Sequence, residues 1–146
     1  MSPTDAQSWM AVANKRGTDA QAIYKERPNS IGSVYMAGYA IECSLKALLQ
    51  NRGIPFPTHG SDGHNLRSLW KTSGFKLSDL NDSNGNKTFF IKQWDTKLRY
   101  ESDLADLDLK MNDDNLDLGD LIKGAMELTG WIQTRVRPTR RQRRIK

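Results

Sequence analysis

Glu42 and Lys46 stand four residues apart inside GYAIECSLKALL, residues 38–49, where nearly every neighbour is apolar. A Glu placed four residues before a Lys is the favourable order for an ion pair along one helix face. Two settings would use that pair differently. On an exposed strip it adds only a little helix stability. In a polar cleft between helices or subunits, each charge would depend on the other. Few other groups offer chemistry. The chain has two histidines, His59 and His64, and one cysteine, Cys43. Two histidines and one distant cysteine give no zinc spacing, so no metal or other cofactor is expected. DDNLDLGD, residues 113–120, invites a calcium reading, but the glycine comes one position late for an EF-hand loop. Neither GxxxxGK[ST] nor GxGxxG occurs, so no nucleotide fingerprint is present.

The charge is unevenly spread. The chain has 146 residues and a formal net charge of +5. Seven of its cations, Arg135, Arg137, Arg140, Arg141, Arg143, Arg144 and Lys146, fall in the last twelve residues, which contain no acid. The first 134 residues therefore hold 15 bases against 17 acids. Between Glu101 and Asp120 there are eight acids and one base, Lys110. The tail could give a salt-dependent, largely sequence-independent affinity for RNA or DNA. It has no aromatic residue on which a base could stack. It could equally serve solubility or dock on the acidic stretch.

The elements that must position these groups read as helices. The spacing predicts a first helix from about Pro3 to Glu26, capped by Ser2 and carrying Trp9, Ala13, Ala20 and Ile23 on one stripe. Gly17 and Thr18 weaken its middle enough to allow two shorter helices. A second helix, capped by Asn29 or Ser30, runs to about Asn51 and stops at Gly53. Twelve of the sixteen residues from Val34 to Leu49 are apolar, aromatic or Cys, which makes this helix central or buried on two sides. Residues 52–65 form a Pro- and Gly-bearing loop, followed by a short helix from Asn65 to Leu69 or Trp70. A further turn is expected over Phe75 to Leu80. Thr88 to Trp94 serves a helix or a strand alike. A last helix starts near Asp114, with Leu118, Leu121, Ala125, Leu128 and Ile132 in register, and ends before Pro138.

With no β-α-β alternation, the expected fold class is all-α, an up-and-down bundle of four to five helices. Residues 1–137 are expected to be one domain, with 138–146 a basic flexible tail. A lone cysteine suits a reducing compartment such as the cytoplasm. No apolar run long enough to span a membrane and no secretory leader pattern occurs.

YMAGYAIECSLKALLQNRG, residues 35–53, followed by GHNLRSLW, residues 63–70, resembles the HEPN domain, named for higher eukaryotes and prokaryotes nucleotide-binding. The shared pattern is a small-residue apolar helix with an acid and a Lys shortly before two leucines. A Gly-bearing loop and a His opening a short helix come next. Trp94 and the pair Arg99-Tyr100 sit where such domains often carry similar residues, so the resemblance covers roughly Ser30 to Tyr100. It implies an antiparallel helical bundle that forms a homodimer. It also implies a place in prokaryotic toxin–antitoxin or antiviral systems, often beside a nucleotidyltransferase-type antitoxin. Active members are metal-independent ribonucleases with an Arg-x(4–6)-His motif at the dimer cleft.

The chemistry of that motif is sound. A His of near-neutral pKa can move the proton of a ribose 2′-OH, while an Arg holds the phosphate. Arg52 and His59 have the required spacing. Their context differs from the family pattern, because the pair straddles a Pro-rich loop and Gly53 follows Arg52. No His occurs after His64 to supply the motif on a later helix. His64 matches the family's helix-opening His and serves either as a loop anchor or in the cleft with Glu42, Lys46 or Arg99. Arg99 and Tyr100 read either as a structural anchor or as a phosphate clamp. The expected function is a non-catalytic or degenerate HEPN module that binds RNA, a nucleotide or a partner protein. The alternative is a ribonuclease using His64 or His59 with Arg52 or Arg99.

Overall fold

A computed structural model describes residues 5–28, 30–57, 65–80, 82, 85–92, 94 and 118–136. Among the described residues there are five α-helices and no strand, as an all-α bundle requires. They are α1 (Ala6–Glu26), α2 (Ile31–Asn51), α3 (Leu66–Thr72), α4 (Asn86–Lys92) and α5 (Leu118–Gln133), with a 3-10 turn over Leu77–Leu80.

Helix α1 is capped by Asp5, whose carboxylate accepts the Ser8 N–H at 2.7 Å. That bond holds the Asp5 carboxyl below its usual range. The expected cap at Ser2 lies outside the described residues. The helix does not break at Gly17. The space left by the missing side chain is taken by a neighbour instead, because a Cβ there would stand 3.1 Å from the Met126 sulfur of α5. Helix α2 starts where expected, with the Ser30 hydroxyl accepting the Gly32 N–H at 3.1 Å. Gly53 at φ 70° and Gly74 at φ 88° occupy the left-handed conformation that ends α2 and α3.

Contacts along α1 and α2 fix their relative direction. Ile23 lies beside Gly32, Gly17 beside Ala40, and Trp9 beside Lys46. Residue numbers fall along one helix as they rise along the other, so the two form an antiparallel hairpin. Helix α5 returns antiparallel to α1, with Gln133 bonded to Asn14 at 3.0 Å and to Ser44 of α2 at 3.2 Å. Every residue of α2 from Ala40 to Leu49 is buried. The main core joins Val34, Ile41, Leu45, Leu48 and Leu49 of α2 to Leu66 and Leu69, to Phe89 and Phe90, and to Leu121, Leu128 and Ile132.

The ambiguous segment before Trp94 is helical, but it is shorter than its apolar spacing suggests. Helix α4 ends at Lys92, and the Trp94 N–H turns back to the Phe89 carbonyl at 3.1 Å. The Trp94 ring then lies over Gly38 of α2, leaving no room there for a Cβ. The start of the last helix at Asp114 and the stretch from Asp95 to Asn112 fall outside the described residues.

Two glycine substitutions should therefore act in opposite directions. Gly38→Ala drives a methyl into the Trp94 ring and should destabilise the fold by about 1–3 kcal/mol, the usual range for overpacking. Gly130→Ala meets nothing within 4 Å in the exposed face of α5. It should stabilise by about 0.5–1 kcal/mol through helix propensity. Urea denaturation of the two variants beside the parent protein checks both signs.

Candidate functional site

Glu42 and Lys46 are both 1% exposed, so a single chain already encloses them. The exposed strip is ruled out by this burial. The ammonium donates to Glu42 Oε2 at 2.9 Å. It also sits 5.1 Å from the centre of the Trp9 ring, within the range of a cation–π contact. Trp9 in turn meets Phe56 edge-on, with centroids 6.1 Å apart. Helix α1 thus closes over the pair through an aromatic ring. The sequence marks Trp9 only as part of an apolar stripe; its role against Lys46 follows from the antiparallel register.

The charges near α1 and α2 also govern their neighbours. Burial, reinforced by the Glu42 carboxylate, pushes the Cys43 thiol up from 9.0 to about 12, against the pull of Lys46 and Arg16. Tyr39 is raised by burial and then by Cys43 and Glu42. Cys43 is accordingly a protonated packing group rather than a nucleophile.

A second group of residues gathers at the other end of α2. Arg52 Nη1 donates to the Ser73 carbonyl at 3.0 Å, and its guanidinium lies 6.0 Å from the Phe75 ring centre. Phe75 meets Trp131 of α5 edge-on at 4.9 Å, and Trp70 lies against both. Arg135 is stacked on Trp131, its guanidinium carbon 3.4 Å from the ring centre. Its Nη1 donates to the Trp131 carbonyl at 2.9 Å and to the Thr134 hydroxyl at 3.2 Å. Arg52 and Arg135, 83 residues apart in sequence, are therefore joined through one aromatic cluster. A signal for half of this cluster is present in the sequence, because Arg135, in the turn after α5, follows Trp131 at a spacing of four. The link to Arg52 is long-range and has no local signature.

The structure brings together Glu42 with Lys46, and Arg52 with Arg135. The other candidates, His59, His64, Arg99, Tyr100, Arg137, Arg140, Arg141, Arg143, Arg144 and Lys146, lie outside the described residues. Among the described residues no group of three His, Cys, Asp or Glu could hold a metal ion. No described helix is long and apolar enough to cross a membrane.

A long antiparallel hairpin, closed by a third helix and enclosing an acid–lysine pair, defines a helical-bundle domain. The family model of the HEPN domain matches residues 6–135, nearly the whole chain, and the protein belongs to that family. No curated protein and no solved structure gives a significant match.

Cys43 supplies a direct check on how tightly this region is closed. At about pH 8 a free thiol is partly thiolate and reacts readily with iodoacetamide. Because the folded value lies far above 9.0, native Cys43 stays protonated there. Alkylation followed by mass spectrometry should leave the native chain unmodified and label it fully in urea.

Proposed function

We propose that the chain is a HEPN module that binds RNA without cleaving it, as a homodimer in the cytoplasm of a prokaryote. Its setting is a toxin–antitoxin or antiviral defence system, with a nucleotidyltransferase-type antitoxin as the class of protein partner. The body comprises residues 1–137, and the basic tail, 138–146, adds charge to it. Family membership supports a module of the nucleotide-binding, RNA-binding or ribonuclease type. The observation that carries the non-catalytic reading is the position of Arg52. The arginine of the one Arg-x6-His spacing is bonded to the Ser73 carbonyl and placed against Phe75, so it has a structural task at the end of α2. Glu42 and Lys46 support the same reading, because their charges meet each other inside the bundle.

The ribonuclease reading keeps one observation in its favour. Arg52 is exposed although bonded, and His59 follows at the motif's spacing. In that case His59 or His64 would take the 2′-OH proton, and Arg52 or Arg99 would hold the phosphate.

Titration of a labelled single-stranded RNA across a salt series, with EDTA present, tests the proposal. Binding should weaken steeply with salt, with a slope of about −0.7 in log–log terms for each phosphate neutralised. Replacing the cations of the tail by Gln should flatten that slope, and the RNA should remain intact. Cleavage in EDTA that is lost in Arg52→Ala, His59→Ala or His64→Ala would establish the ribonuclease instead.

A further inference from the structure

Beyond the tail, the body itself carries a surface fitted to a polyanion with flat bases. Between Arg52 and Lys76 the described residues include Arg52, Arg67, Lys71 and Lys76, all exposed, and no carboxylate; the Asp79 carboxylate, which accepts the Lys76 N–H at 2.7 Å, bounds this stretch. Arg67 and Lys71 share the outer face of α3, opposite buried Leu66 and Trp70. Lys76 follows Phe75, and its carbonyl accepts the Trp70 indole N–H at 3.0 Å, so it borders the aromatic cluster. Phe75 and Trp131 are only half-buried.

Arg135 is the decisive group. Its guanidinium carbon stands 3.4 Å over the Trp131 ring centre, and two bonds from Nη1 restrain it there. Among the described residues neither Arg135 nor Arg52 has a carboxylate partner. A planar cation that is held in place, half-exposed and without a carboxylate partner among the described residues is a ready platform. One face rests on the indole, and among the described residues only Nη1 is engaged in hydrogen bonds. Bases of single-stranded nucleic acid stack on arginine planes and aromatic rings, while phosphates take the edge donors. A base pair in a duplex presents no free face for this contact.

We infer that Arg135 on Trp131, together with Arg52 beside Phe75, forms a ledge that binds single-stranded RNA by stacking one or two bases and holding the adjoining phosphate. This deepens the RNA-binding reading and rests on it. The ledge differs from the tail in mechanism. Tail binding is electrostatic and fades with salt, whereas stacking persists. Arg67 and Lys71 of α3 would guide the strand away from the ledge along the helix face.

The test uses the full chain at high salt, with a fluorescent twelve-nucleotide oligoadenylate, the same length of RNA duplex, and polyglutamate as competitor. The parent protein should retain measurable binding to the single strand and little to the duplex. Arg135→Met and Arg52→Met should each weaken single-strand binding at least about fivefold, the lower end of what one stacked base contributes. Trp131→Phe, which keeps a ring in the cluster, should weaken it less than Arg135→Met. Circular dichroism confirms that each variant is folded. Unchanged binding in both arginine variants would overturn the ledge while leaving RNA binding by the tail intact. Competition by polyglutamate equal to that by RNA would also overturn it, because the surface would then read charge alone. A parent protein that binds no RNA at any salt would overturn both the ledge and the reading beneath it.

Discussion

Helix α2 has almost no solvent face, and the rest of the bundle is arranged around that constraint. Ten consecutive residues, Ala40 to Leu49, are buried, and two of them are charged. Fully burying one Leu or Ile side chain contributes about 1.5–3 kcal/mol, so the apolar residues of α2 dominate the favourable side. Taking two charges out of water costs several kcal/mol per ion, which is recovered only if the charges meet well and their remaining polar atoms find partners. The 2.9 Å contact between Lys46 and Glu42, under the Trp9 ring, meets the first part of that demand. It also makes α1 a required cover rather than an accessory. A helix that slid by one turn would leave the ammonium without its ring.

The helical elements were largely readable because their signals are local. Ser30 as a cap, Gly53 and Gly74 as stops, and the stripe from Val34 to Leu48 need no tertiary knowledge. The helix expected to reach Trp94 ends at Lys92, because the apolar character of Trp94 serves a helix face and a ring laid over Gly38 equally well. The cap of α1 was missed by three residues, since Ser2 and Asp5 both suit the position and only hydrogen-bond geometry separates them. The site was less legible. The spacing of Glu42 and Lys46 shows that they can pair, but spacing carries no information on burial, which depends on what α1 places opposite. Arg52 and Arg135 lie 83 residues apart in sequence, and the packing of Phe75 on Trp131 joins them.

Charge is thus handled in two ways in one small domain. Inside, between α1 and α2, an acid and a base neutralise each other under aromatic cover, while burial, helped by Glu42 and opposed by Lys46, raises the Cys43 thiol. Outside, where α2, α3 and α5 converge, arginines rest on aromatic rings with no carboxylate among the described residues to balance them. The first arrangement costs solvation and specifies how the helices fit. The second is the arrangement on which the proposed RNA ledge rests. Membership of the HEPN family is compatible with a nucleotide-binding, RNA-binding or ribonuclease-type module built on this scaffold.

The central claim is that Glu42 and Lys46 act as one structural unit within a single chain. A double-mutant cycle in urea denaturation tests it most directly, using Lys46→Met, Glu42→Leu and the double variant. Lys46→Met alone should cost about 3–5 kcal/mol, because it leaves a buried carboxylate without its cation. The double variant should then be more stable than that single variant, since no uncompensated charge remains. Costs that simply add would contradict the account and return the two residues to independent roles.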